Sequence, residues 1–197
     1  MSLSADQVLQ HFRTTGALLE GHFLLSSGLH SPAYVQCAKV LMHPDRAAEL
    51  CRSLADKIEA ELGQDAVELV VSPAMGGVVV GYEMGRQLGG PAIFTERVAG
   101  VFELRRGFAL EPGVRVLMAE DVVTTGKSSR ECIAAITAAG GKVVGASCLI
   151  DRSAGAVDLE VPLISLLGLA VPAYAADELP PELAALPAVK PGSRYLP

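Results

Sequence analysis

Residues 116–129 read VLMAEDVVTTGKSS: an apolar run, two adjacent carboxylates, then hydroxyls, a glycine and a lysine. Glu120 and Asp121 only accept hydrogen bonds when ionised, and at a strand end they have little reason to sit together without hydroxyls or a cation to bind. Thr124, Thr125, Gly126, Lys127 and Ser128 offer hydroxyl and N–H donors where a helix would begin, a favourable place for a phosphate. The Gly-Lys-Ser ending suggests a G-x-x-x-x-G-K-[ST] phosphate loop. Here, however, the eight residues start with Asp121 and continue with the β-branched Val122 and Val123, which cannot form that glycine-rich nest. Glu120 would add repulsion toward a triphosphate. A 5-phosphoribosyl group fits better, with vicinal hydroxyls on the acid side and a monophosphate on the donor side; a magnesium ion could bridge the two. The plainer reading is a strand end followed by a Thr/Ser cap, and the acid pair beside Thr-Thr-Gly weighs against it.

Such a site needs a scaffold that delivers the acids at a strand end. Apolar stretches at 67–72, 92–96, 114–120 and 142–151 alternate with helical stretches at 76–89 and 128–140. Alternation of this kind predicts a doubly wound, mostly parallel sheet, whose ligands gather at the carboxyl ends of the strands. Ahead of it, Ser4 and Gln7 form a capping-box signature for a first helix with Val8, Leu9 and Phe12 on one face. Residues 17–41 read as hairpin material broken by Gly21, Gly28 and Pro32. Pro44 opens a helix that Gly63 stops. Gly77, Gly81 and Gly85 recur every four residues, which suits close packing of a helix on the sheet rather than a dinucleotide fingerprint. In SPAMGG (72–77), approach to an anion and simple turn geometry explain the adjacent glycines equally well.

The chain of 197 residues is half hydrophobic but only 5% aromatic, as expected of small-residue helices on a buried sheet. A net charge of −6 argues against a nucleic-acid binder with a broad basic surface. The four cysteines, Cys37, Cys51, Cys132 and Cys148, form no C-x-x-C pair and suggest reduced, buried thiols. MSLSADQVLQHF is too polar for a signal peptide, and residues 161–176 are too short and proline-broken to span a membrane. A soluble, cytoplasmic protein is expected. The Pro-rich tail from Asp177 is expected to wrap the surface.

The acid-pair stretch closely resembles the phosphoribosyl-pyrophosphate motif of type I phosphoribosyltransferases. HFLLSSGLHSPAY (22–34) is similar to the N-terminal substrate loop of the orotate phosphoribosyltransferases, SPAMGG to their pyrophosphate loop, and CLIDR (148–152) to their strand-end Asp-Arg. Four motifs in the family's order cover about 130 residues. The resemblance implies an α/β fold: a central, mostly parallel sheet flanked by helices, with a small N-terminal hood. It also implies a single domain over 1–197, with the hood and substrate loop in 1–41 and the core sheet and phosphoribosyl site in 64–170.

The activity implied is transfer of the phosphoribosyl group to orotate, with Mg2+ as cofactor and no metal ligand assigned in the chain. Glu120 and Asp121 would hold the ribose hydroxyls and Thr124 to Ser128 the 5-phosphate, with Val122, Val123 and Arg97 also counted among the residues that bind phosphoribosyl pyrophosphate. Thr124, Arg152, Ser27, Gly28 and Tyr34 would contact orotate, the guanidinium of Arg152 pairing with its carboxylate or a ring carbonyl. Residues 95–108 occupy the place of the family's mobile catalytic loop, which acts across a homodimer interface. Arg97, Arg105 and Arg106 are its cations, although an exposed hairpin with scattered charges is the plainer reading for Arg105 and Arg106; Glu120, Asp121 and Arg97 are the candidate catalytic groups. His30 is expected to be solvated or bonded within its turn. The chain departs from the family pattern where Ser26 and Met75-Gly76 replace lysines, where the mobile loop offers Arg instead of Lys and His, and at Lys127. Competing readings are a purine or xanthine phosphoribosyltransferase and a regulatory protein that binds the same donor as an effector.

Overall fold

A computed structural model describes residues 2–25 and 27–191. Met1, Ser26 and the tail end, 192–197, lie outside the described residues, and so do the expectations that rest on them. Helix α1 (Ala5–Thr14) opens with the expected capping box: the Gln7 N–H donates to Ser4 Oγ, and the Ser4 N–H to Gln7 Oε1. Strands β1 (Leu18–Leu24) and β2 (His30–Val35) pair antiparallel as a separate two-stranded hood. After the short α2 (Ala38–Leu41), α3 (Pro44–Leu62) has Pro44 in its first turn and ends at Gly63, whose φ of 95° suits glycine.

The main sheet follows with β3 (Leu69–Pro73), α4 (Gly77–Leu88), β4 (Ala92–Val98), β5 (Val101–Leu104), β6 (Arg115–Val123), α5 (Lys127–Ala138), β7 (Lys142–Asp151) and β8 (Leu163–Gly168). Its strand order is β5-β4-β3-β6-β7-β8, parallel throughout except for the antiparallel edge pair β4–β5. Alternate side chains of the central strands feed two cores. Leu117 and Ala119 join Leu50, Leu54, Val80 and Met84 under α3 and α4, while Val116 and Met118 join Cys132 and Ile136 under α5. Glycines let α4 lie close to the sheet. A Cβ at Gly81 would fall 2.5 Å from Ser72 Oγ, and one at Gly85 2.8 Å from the Ala92 methyl.

The tail straps the hood. Val189 exchanges backbone hydrogen bonds with His22 and Leu24, Tyr174 exchanges them with His30, and a single turn, α6 (Pro181–Ala184), lies between. His30 is not turn-bonded as expected: its Nδ1 lies 2.6 Å from Nε2 of the buried His22, whose Nδ1 lies 2.9 Å from the Leu186 carbonyl oxygen. Since that carbonyl can only accept, His22 Nδ1 carries a hydrogen, and toward the Nε2 of a neutral His22 it is His30 Nδ1 that donates. No helix among the described residues is long and apolar enough to cross a membrane.

Candidate active site

Strand periodicity separates the two acids. Glu120 continues the face of Val116 and Met118, toward α5, where it accepts a hydrogen bond from the hydroxyl of Ser129. Asp121 continues the face of Leu117 and Ala119, toward the loop before α4. Burial raises the Glu120 pKa to about 7, with Asp121 adding to the rise while the Ser129 hydrogen bond and Arg97 oppose it. Burial also raises that of Asp121, against backbone N–H groups at Val122 and Asp121 itself. Both carboxyls therefore stand in an environment that penalises their charge until a donor-rich ligand arrives.

The strand runs on to Val123, and α5 starts at Lys127 after a left-handed Gly126 with φ 68°. Any side chain at Gly126 would meet Val157 at 2.5 Å and Arg130 at 3.0 Å. The N-cap Gly126 brings no side chain to α5, and the Lys127 N–H donates to Thr125 Oγ1 at 3.4 Å. Thr124 and Thr125 are exposed beside its first turn, and Glu120 with residues 122–129 lines a small concavity there. Arg130 holds the loop from outside, donating to the carbonyls of Thr125 (2.7 Å) and Asp158 (3.2 Å). This arrangement has the glycine-led helix terminus expected for anion binding. Arg130 and Ser129 went unnoticed in the sequence, where they read as helix interior.

Across the strand ends, Gly76 has φ −57° and ψ −41°, values open to any residue, so turn geometry does not require glycine. Space does: a Cβ there would lie 2.9 Å from Asp121 Oδ1. The glycine lets the backbone of the SPAMGG loop lie directly against the acid.

Arg152 makes no ion pair with Asp151, whose carboxylate instead accepts the Ser153 N–H at 2.8 Å. Its Nε is buried without a partner, and burial lowers its pKa, opposed by the nearby Tyr34. Arg152 and Tyr34, on β7's exit and on the hood, thus share one neighbourhood. Ser27 and Gly28 form the exposed β1–β2 turn, in which the Gly28 N–H donates to the Leu25 carbonyl at 3.0 Å.

The arginine-bearing segment takes the form of its plainer reading, a hairpin. Residues 95–104 are not a free loop, because Arg97 sits inside β4 opposite Phe102 of β5, with its guanidinium 4.0 Å above the Phe102 ring centroid. It donates to Glu131 on α5 at 2.5 Å and to the Gly100 carbonyl at 2.7 Å. Lys127 Nζ lies 3.9 Å from the other oxygen of Glu131. Arg106 is paired with Glu96 through two hydrogen bonds. Cross-strand pairing and these ion pairs hold the segment as a hairpin, with only 105–114 between β5 and β6 irregular.

A family model for the phosphoribosyl transferase domain matches residues 39–167. The orotate phosphoribosyltransferase of Sphingopyxis alaskensis is 61% identical over 193 residues, covering 98% of each chain. That of Novosphingobium aromaticivorans is 63% identical over 192 residues with the same coverage. The crystal structure of orotate phosphoribosyltransferase from Aeropyrum pernix aligns with a TM-score of 0.67 at 25% identity, covering 82% of this chain and 93% of that one.

Proposed function

The chain belongs to the orotate phosphoribosyltransferase family, and from that premise we propose how its residues carry out the reaction. The enzyme transfers the 5-phosphoribosyl group of phosphoribosyl pyrophosphate to orotate, giving orotidine 5′-monophosphate and pyrophosphate in pyrimidine biosynthesis. The bond from C1 to pyrophosphate oxygen breaks, the bond from C1 to orotate N1 forms, and the N1 proton is released. The reading of the site rests on one observation: a half-buried acid pair on β6 faces the start of α5, whose N-cap is a glycine, across the turn 124–126.

Glu120 and Asp121 accept hydrogen bonds from the ribose hydroxyls, and their charge offsets the positive charge that grows on the ring as the leaving group departs. Residues 122–128 receive the 5-phosphate through N–H groups at the start of α5 and the hydroxyls of Thr124, Thr125 and Ser128, with Lys127 adding charge. Arg152 meets the carboxylate or a ring carbonyl of orotate, which would satisfy its orphaned Nε; Tyr34 borders the ring, and Thr124 and the Ser27-Gly28 turn lie at the edge of the base. Arg97 reaches the pyrophosphate after exchanging Glu131 for it. The donor is taken as its magnesium complex, and the cation supplies neutralisation of the leaving group's charge. Magnesium usually keeps several waters and binds through substrate phosphates rather than an all-protein cage.

The chain 1–197 works as one domain, and as a homodimer. Met75, Val79 and Tyr82 recur at helical spacing and are 83%, 49% and 72% exposed. A second copy covers this apolar face, which adjoins the loop against Asp121. Light scattering is expected to give a dimer that Tyr82→Glu splits, and a monomeric wild type would refute the assignment. Four free, buried cysteines suit a reducing compartment such as the cytoplasm. The activity is tested by following orotate absorbance with phosphoribosyl pyrophosphate and magnesium, with uracil, hypoxanthine and xanthine in parallel. Consumption of orotate alone is expected; turnover of a purine instead would overturn the orotate site.

A further inference from the structure

We propose that Ser129 is a positioning residue for the reaction: its hydroxyl, buried under α5, holds the Glu120 carboxylate in the orientation and ionised state that receive the ribose. The inference rests on the reading of Glu120 given above. Ser129 lies on the third residue of α5 and is 1% exposed, so its hydroxyl has no access to solvent. Its hydrogen bond goes to Glu120 Oε2, on the next element of the sheet side, and not back into its own helix. A buried serine inside a helix commonly bonds the carbonyl four residues earlier. Here the hydroxyl is aimed at an acid whose charge burial discourages.

The groups around Glu120 make this bond decisive. Its own strand contributes Asp121, a like charge. Strand β7 contributes the thiol of Cys148 and α5 that of Cys132, neither of them a cation. Strand β4 contributes Arg97, whose guanidinium is already engaged by Glu131 and Gly100. Ser129 is thus the direct hydrogen-bond donor to a carboxyl that burial has pushed to about 7. A hydrogen bond given to a charged acceptor lowers its pKa, and removing it raises the pKa further. The second carboxylate oxygen, Oε1, is left to face the substrate.

Ser129→Ala keeps the Cβ and favours the helix, so the variant should fold. The test is the pH dependence of kcat/KM for phosphoribosyl pyrophosphate, measured from pH 5.5 to 9.5 for wild type, Ser129→Ala, Ser129→Thr and Glu120→Gln. The acid limb of Ser129→Ala is expected to move up by about one pH unit, the size of one hydrogen bond to a charged group. It should therefore lose about eightfold at pH 6.5 and almost nothing, about 1.1-fold, at pH 9. Ser129→Thr should restore the wild-type limb, and Glu120→Gln should remove that limb and lower kcat/KM at every pH. An unmoved limb in Ser129→Ala, with Glu120→Gln behaving as expected, would overturn the role of Ser129 alone. A wild-type profile in Glu120→Gln would overturn the reading of Glu120 itself. If the threonine variant does not fold, the limb of Ser129→Ala still decides between these outcomes.

Discussion

Gly76→Ala separates folding from function at one methyl group. The backbone of Gly76 is in the right-handed helical region, so alanine fits it without torsional strain. Where φ and ψ are compatible, such a change stabilises by about 0.4–1 kcal/mol through the unfolded chain. The cost falls elsewhere: the new Cβ would lie 2.9 Å from Asp121 Oδ1 and 3.2 Å from both Cγ and Oδ2. All three distances are too short, and the softest neighbour is the carboxylate, which must turn away. A displaced carboxylate forfeits a hydrogen bond between a charged acceptor and a ribose hydroxyl, worth about 1.5–3 kcal/mol. That corresponds to a loss of about 10- to 150-fold in kcat/KM for phosphoribosyl pyrophosphate.

The assay is orotate consumption at saturating orotate and varied donor, alongside thermal melting. The expected result is a melting temperature near wild type with the loss in kcat/KM stated above. The backbone N–H of residue 76 survives the substitution, so the effect reports on Asp121 and not on anion capture by the loop. In the background of Asp121→Asn the methyl should cost little more, because both changes act on the same group. An active Gly76→Ala, within about twofold of wild type, would refute the link between this glycine and the acid. A fully additive double variant would do the same.

Glu120→Gln should stabilise the protein while impairing it. The folded carboxyl holds its proton to about pH 7, whereas the unperturbed group releases it near 4.5. Between those values the native state binds more protons than the unfolded chain, so this group's contribution to stability falls as pH rises through the window and stays low above it. The difference is up to about 3 kcal/mol, roughly 5–10 °C in melting temperature at pH 8, and it should vanish toward pH 4.5 in calorimetric scans. An equal gain at pH 4.5 and pH 8 would contradict it. Arg152→Lys keeps the charge but loses the planar fork, so KM for orotate should rise about 10-fold or more while KM for phosphoribosyl pyrophosphate stays within about twofold; steady-state kinetics with each substrate varied would reveal a failure of that split.

Much of the fold could be read before any coordinates because its signals are local. The capping box of Ser4 and Gln7, the Pro44 start and Gly63 stop of α3, and the four-residue spacing of Gly77, Gly81 and Gly85 each depend on a handful of neighbours. The edge pairing was legible only in outline. A hairpin was one reading of residues 95–108, but the turn at Ala99-Gly100, Arg97 over Phe102 and Arg106 against Glu96 carry no local signal. The His22–His30 pair was hidden similarly, because its third member is a carbonyl at Leu186, more than 150 residues away.

At the candidate site the limit has a different physical origin. Adjacency in sequence made Glu120 and Asp121 look like one dicarboxylate, yet in a strand adjacent side chains point to opposite faces. One acid therefore answers to α5 and the other to the loop before α4, so each has its own restraint: the Ser129 hydroxyl for Glu120 and the bare backbone of Gly76 for Asp121. Neither restraint carries a motif. Ser129 matters through the rotation of α5, which the left-handed Gly126 sets, and Gly76 matters through the absence of an atom. The two substitutions should consequently affect the donor by different routes. Ser129→Ala acts through protonation and fades at high pH, whereas Gly76→Ala acts through position and persists across the range. If the two variants instead shared one pH profile, the acids would be acting as a single coupled group, and the division of labour between the two faces of β6 would be wrong.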